Sequence, residues 1–429
     1  MSLSVSSLVL RAKQLELEGI RHLAGRIELV DVIGQLIHAL QRERGATSIY
    51  LASAGQRFAS ERQATVESVT PIEARLRDLF EAQLAPEAGA SARMLSLMAW
   101  VLLDLDALSS LRQRIEQQQL TAQEGIVAFS RLIGSQVELI FHLADAALHP
   151  EVSRPLVALV HLVQGKELAG QERAVGGQLF ASGQRQDDQQ QRIVHLIEAQ
   201  ERSLSVFEEF AEPVLAERWQ QAQLTPGAAQ IERLRRTLCS TSAHTGLDAA
   251  QADTWFQVTS QRIQAMWALE AELVQMLRLA CTQQLQASQQ QLQNAEDLLN
   301  QLKRNPPAHT HAVERFFNSP GAPLAPPVLS PVADAPDQAA VSSMVELLQA
   351  QSSRLASMEA ELESAKRALN ERKVIERAKG ALMSRLGLSE EAAYRTLQKA
   401  AMDHNKRLVD VAEATLALPD IAFAGKPRP

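Results

Sequence analysis

The sequence is poor in the residues that build sheets, covalent cross-links or metal frameworks. It holds two tyrosines, 4% aromatic residues overall, and few runs of β-branched residues, so strands are not expected. Its two cysteines, Cys239 and Cys281, supply neither a disulfide framework nor a zinc spacing. They read as small buried hydrophobes in a reducing compartment. No run of about 18 uninterrupted apolar residues occurs, and the opening MSLSVSSLVLRAKQLELEGI has no basic segment followed by a sustained apolar one. A cytoplasmic chain without a membrane span is expected. A Walker loop, a dinucleotide fingerprint, a nucleophile elbow, metal-spaced His or Cys clusters and the strand–helix alternation of a receiver are all missing. No catalytic residue, metal site or cofactor is therefore expected, and the chain does not read as an enzyme. His38, His142, His161 and His195 stand isolated on helices, where they pack or face solvent.

What the sequence does contain is helix. Hydrophobic residues make up 46% and charged residues 22%, an ordinary globular balance, and 429 residues suffice for two or three cores. From about Leu8 to Leu302 amphipathic helices follow one another. Among them are Val30–Leu51, Met94–Ile115, Ile126–Leu148, Pro155–Phe180, Ile193–Phe210, Ile231–Leu238 and a long one from Thr254 to Leu302. Breaks fall at Ala85-Pro86, His149-Pro150 and Thr225-Pro226-Gly227. Eight prolines between Asn305 and Pro336 end the helical pattern and mark a spacer. Beyond it Met344, Leu348, Leu355, Met358, Leu362, Ala365 and Leu369 follow a heptad spacing that fits a coiled coil, and with it a homodimer seam. The expected organisation is all-α. Two helical bundles occupy 1–303, a proline-rich linker 304–337, and a coiled-coil helix 338–361. A three-helix bundle follows at 362–420, then a tail at 421–429.

In that last bundle, the first helix ends near Leu386 with Gly387 placed for a left-handed C-cap. Ser389 caps a second helix with Glu390 and Glu391 in its first turn, and a third begins near Arg407. Gly380, inside a helix, costs about 1 kcal/mol against alanine and points to a close backbone approach. Eleven basic against eight acidic residues leave Leu362–Leu418 at +3, whereas the whole chain stands at −7. The run ERKVIERAKGALMSRLGLSEEAAYRTLQKAAMDHNKRLVDVAEATL resembles the ANTAR domain of bacterial antitermination regulators. The resemblance implies a three-helix module that binds two-hairpin leader RNA and so prevents terminator formation. On this reading Arg372, Lys373, Arg377, Lys379, Arg395, Lys399 and Arg407 meet phosphates, while Asn405, with His404 and Tyr394, addresses splayed bases.

One element of the N-terminal region occurs twice. Glu43-Arg44 and Glu172-Arg173 stand 129 residues apart, and each is followed by an Ala-Ser pair and a Gly-Gln pair. The repeat suggests two related bundles about a pseudo-twofold axis. At 100° per residue Leu36, Leu40 and Arg44 fall within about 80° of one another, while Arg42 lies about 240° round. Arg173 likewise shares a face with Leu159, Leu162 and Phe180. An inward guanidinium needs an anion. The neighbouring Glu43 and Glu172 are the simplest partners.

The words LQRERGATSIYLASAG resemble the nitrate- and nitrite-sensing NIT domain, whose signature is arginine-glutamate-arginine-glycine. The resemblance implies nitrate or nitrite held between bundles by several arginines, with Arg44 and Arg173 leading, as suits a planar oxyanion facing planar donor forks. A third arginine is expected on Ile231–Leu238. The helical wheel turns Arg235 inward, whereas the family pattern points to Arg236, and Arg42 is a further candidate. The function implied is a nitrate- or nitrite-responsive antiterminator of nitrate-assimilation genes, in which ligand relieves masking of the RNA-binding module. The alternative keeps that module under a different anion or a protein partner.

Overall fold

The computed structural model of the chain describes residues 5–145, 150–183, 187–239, 246–304, 371, 373–388, 390–403 and 406–417. The proline-rich spacer, the heptad helix, Arg372, Ser389, His404 and Asn405 lie outside the described residues. Among the described residues every long element is an α-helix. In chain order these are α1 (Val5–Ala52), α2 (Ala59–Ala82), α3 (Ala92–Asp106), α4 (Leu108–Glu116) and α5 (Ala122–Asp145). Next come α6 (Pro150–Ser182), α7 (Asp187–Phe210), α8 (Pro213–Gln223), α9 (Pro226–Cys239) and α10 (Gln251–Arg304). The C-terminal module holds α11 (373–386), α12 (Glu390–Asp403) and α13 (Leu408–Ala417). By compactness the chain divides into one unit of Met1–Arg21 with Cys281–Glu361 and another of His22–Ala280 with Leu362–Pro429.

Two helices differ in character from the rest. In α1, Leu29, Val30, Val32, Ile33, Leu36, Ile37 and Leu40 are all buried, and in α6 so are Leu156 to Val160, Leu162 and Val163. A helix that is apolar all round has to be central, and each of these is wrapped by one-faced helices. In α5 the buried face is Ile126, Phe129, Ile133, Val137 and Ile140, at steps of three and four. The segment from Met94 to Ile115, expected as one helix, divides at Ala107 into α3 and α4. By length and composition alone Ala92–Glu116 and Ala122–Asp145 are long and apolar enough to cross a membrane. Here they serve as bundle helices, since Arg112 and Ser130 on them bind the polar side chains of α1 described below.

In the smaller unit, Lys13 Nζ donates to Glu16 at 3.0 Å and to Gln291 at 2.8 Å, over buried Leu17, Ile20 and Ala295. The C-terminal module closes on Ala378, Leu382, Ala393, Leu397, Ala401, Val411 and Ala412. Gly387, with φ of +65°, ends α11 as the expected left-handed cap, and its N–H donates to the Met383 carbonyl at 3.0 Å. Gly380 departs from expectation. It is exposed, and a Cβ there would meet nothing within 4 Å, so no backbone of the described residues approaches it.

Candidate anion site

Arg44 on α1 and Arg173 on α6 are 1% and 3% exposed, and their neighbours Glu43 and Glu172 are as deeply buried. The simplest pairing expected from sequence, each arginine with its own neighbour, is not the one formed. Consecutive helix positions point about 100° apart, so each glutamate faces a different helix from its arginine. Arg112 of α4 grips Glu43 with two parallel bonds, Nε to Oε1 at 2.8 Å and Nη2 to Oε2 at 2.7 Å. Arg235 of α9 grips Glu172 in the same way, both bonds at 2.7 Å. Gln200 completes the second pair by donating to Glu172 at 2.6 Å. Burial opposes the charge on Arg235, but the Glu172 fork and Glu232 outweigh it and the pKa is raised. Arg235 shares the inward face of α9 with Ile231, Leu234 and Leu238, whereas Arg236 is exposed. The helical wheel therefore gave the orientation of Arg235, and Arg236, to which the family pattern pointed, does not turn inward. Arg42 is exposed as well.

The two central arginines cross between α1 and α6. Arg44 donates to both oxygens of Glu167, at 2.6 and 3.1 Å, and to Ser130 Oγ at 2.9 Å. Gln41 and Gln171 donate to the same carboxylate at 2.8 and 2.9 Å. Arg173 donates to Ser260 Oγ at 3.0 Å and to the Gln41 carbonyl at 2.7 Å, and its guanidinium carbon lies 5.1 Å from the Phe256 ring centre. Among the described residues no carboxylate pairs with Arg173, and its Nε has no hydrogen-bond partner. Burial first, then the charge of Arg44, pushes Arg173 down to about 9; Glu167 opposes this and Arg42 adds to it. Glycine permits the crossing: a Cβ at Gly170 would lie 2.5 Å from Arg44 Nη2, and one at Gly45 2.9 Å from Arg173 Nη2.

An open pocket of about 640 Å³ is lined by Phe256 and Ser260, which both contact the Arg173 guanidinium, and by Arg57, Phe58, Asp253 and Gln257. Arg57 pairs with Asp253, and Phe58 meets Phe256 edge-on at 5.3 Å. Next to the arginines lies a second buried pair, Lys166 with Glu270 at 2.5 Å. Burial lowers the lysine's pKa and raises the glutamate's. Sequence reasoning missed Arg112, Ser130, Lys166, Glu167 and Ser260. The available signal was Lys166-Glu167, two charges within the otherwise apolar run of α6.

In the C-terminal module Arg377 and Lys399 are exposed. Arg407 is exposed but holds Glu371 and Asp410, each at 3.2 Å, and Lys379 is buried against Glu376 at 2.9 Å. The remaining two described candidates touch the N-terminal helices: Lys373 pairs with Asp145, and Arg395 reaches Gln191 at 3.3 Å. Tyr394 is 7% exposed, with Arg202 4.7 Å from its ring centre and His195 edge-on at 5.4 Å.

Fold and site together define an all-α protein in which an N-terminal helical region with buried arginines is joined to a small C-terminal helical module. Residues 35–278 match the family described as nitrate and nitrite sensing, NIT, and residues 363–416 match the ANTAR domain. The chain is 30% identical to the nitrate regulatory protein of Klebsiella oxytoca over 412 residues, 95% of this chain and 93% of that protein. It is also similar to the solved structure of the NasR transcription antiterminator, with a TM-score of 0.58, 29% identity, and 96% and 98% of the two chains covered. The chain belongs to the family of nitrate- and nitrite-sensing regulators that carry a C-terminal ANTAR domain.

Proposed function

We propose that this chain is a cytoplasmic, nitrate- or nitrite-responsive antiterminator that binds two-hairpin leader RNA and prevents termination, acting on nitrate-assimilation genes. The observation that carries the sensing half is Arg173, a buried guanidinium with no carboxylate paired to it among the described residues. An unpaired buried charge costs several kcal/mol, and a small planar oxyanion reached from the adjoining cavity would relieve that cost through charge-assisted bonds. Arg44 and Arg173 lead the ligand set. Arg235 holds Glu172 beside Arg173, Arg42 adds charge that acts on Arg173, and Arg236 remains the family pattern's candidate.

Masking of the effector is supported by the contacts of Tyr394, Arg395 and Lys373 with the sensor. They engage residues expected to meet RNA, so in this scheme ligand favours an arrangement in which they part. The heptad helix supplies a homodimer seam in this scheme. Calorimetry with nitrate, nitrite, chloride and sulfate on the full chain, paired with leader-RNA binding with and without nitrate, tests the reading. Nitrate that binds without changing RNA affinity would refute the coupling.

A further inference from the structure

Arg173 is 3% exposed, so an anion that reaches it needs a route. On the α1 side its guanidinium meets Gln41, whose carbonyl accepts from Nη2 at 2.7 Å, and Gly45, where a Cβ would lie 2.9 Å from Nη2. Both of these residues are buried. On the α10 side it meets Phe256 and Ser260, which are only half-buried and line the open pocket. The way in from solvent therefore passes Phe256 and Ser260. Ser260 is small, whereas the Phe256 ring lies against the guanidinium, its centre 5.1 Å from the central carbon. A Cβ at Gly45 would stand 3.2 Å from Phe256 Cε2, so α1 backs the ring on the inner side. The free direction for the ring is outward, into the pocket.

What blocks that direction comes from the connection between α1 and α2. Phe58 meets Phe256 edge-on at 5.3 Å, and Arg57 pairs with Asp253, one turn before Phe256 on α10. The connection is strained, with φ of +49° at Ala54 and +63° at Phe58, a region where a bulky residue is an outlier. Phe58 also caps α2 without any side-chain bond to it. A backbone in this state is held by its contacts rather than by its own preference. One of those contacts is weak: the Arg57 and Asp253 side chains are 46% and 69% exposed, and such pairs part at little cost. The forks on Glu43 and Glu172 are buried and do not share that freedom. Resting on the reading of Arg44 and Arg173 as an oxyanion site, we infer that nitrate or nitrite enters and leaves past Phe256. Arg57, Asp253 and Phe58 form the latch on that passage. Among the described residues the hydrogen bonds of Arg44 and Arg173 involve none of the three, so the latch sets the rate of exchange and not the affinity.

The test is the exchange of ¹⁵N-nitrate with the full chain and its variants. Release is read from the line width of the free-anion NMR signal or, where exchange is slow, from a chase with unlabelled nitrate. Titration calorimetry supplies the dissociation constant, and the two together give the uptake rate. Asp253→Asn unpairs the latch and should speed uptake and release alike by about two- to fivefold, the scale of an exposed ion pair. Adding Phe58→Ala, which removes the ring while keeping the strained backbone, should bring the acceleration to about tenfold or more. Gln257→Trp acts in the opposite sense. It is an exposed position on the pocket wall, and a bulky ring there should slow both rates by about tenfold. In all three the dissociation constant should stay within about threefold of wild type. Rates that none of these changes alters would overturn the passage. So would a faster release matched wholly by weaker binding, with uptake unchanged, because the latch would then act on the bound state. If wild type binds no nitrate, the oxyanion reading fails and the passage with it. If wild type binds nitrate at rates insensitive to the variants, the passage alone fails.

Discussion

Arg44 crosses α6 over Gly170 so closely that a Cβ there would stand 2.5 Å from its Nη2. The guanidinium cannot swing aside cheaply, because Glu167 and Ser130 hold it at 2.6 and 2.9 Å. Gly170→Ala should therefore either break this fork or push α1 from α6, at about 1–3 kcal/mol, the range of overpacked cores. Urea denaturation reads this directly. A variant with the wild-type midpoint and slope would show that the helices do not approach so closely.

The Glu172–Arg235 fork carries a second expectation. Arg235→Ala leaves a buried carboxylate with Gln200 as its remaining strong donor, and should destabilise the sensor by about 3–5 kcal/mol. Replacing both partners, as Glu172→Gln with Arg235→Met, should recover much of that loss, because no charge is then left unpaired. If Arg235→Ala instead leaves the melting temperature unchanged while abolishing nitrate binding, Arg235 is a ligand rather than an anchor.

How far the sequence revealed this site depends on range. Arg44, Arg173 and the inward turn of Arg235 were readable because each lies within an apolar arc of its own helix, a local property. The helical module with its Gly387 cap was readable for the same reason. Glu167 was not, since its role depends on a crossing that brings together residues 123 apart in the chain. Likewise, the adjacent glutamates looked like partners only until α4 and α9 supplied Arg112 and Arg235. The packing of Tyr394 against Arg202 and His195 is long-range too, and no periodicity announces it.

His38 should shape the acid limb of stability. Its folded pKa, near 3, lies below the ordinary 6.5, so between those values the unfolded chain binds the extra proton. Its contribution is constant above about pH 6.5, and stability falls as pH drops below that. The slope is at most about 1.4 kcal/mol per pH unit, the limit for one proton. His38→Gln removes that proton from the balance. The loss of urea midpoint between pH 7.5 and pH 5 should therefore be smaller in the variant than in wild type. Equal losses in the two proteins would show that His38 titrates normally in the fold.

Masking can be tested from the sensor side, leaving the RNA-binding residues untouched. Arg202 is exposed and lies 4.7 Å from the centre of the Tyr394 ring, while Asp145 pairs with Lys373. A cation–π contact at such a site contributes about 0.5–1 kcal/mol. Arg202→Ala should accordingly raise the nitrate-free affinity for two-hairpin leader RNA by about two- to fivefold. Adding Asp145→Asn should raise it further by freeing Lys373 for phosphate. Nitrate-bound affinity should change little, so the response to nitrate shrinks from its lower end. Because phosphate binding weakens steeply with salt, the comparison has to be made at one fixed ionic strength. If both variants bind RNA as wild type does with and without nitrate, the α5 and α7 contacts do not restrain the module, and the switch has to act elsewhere.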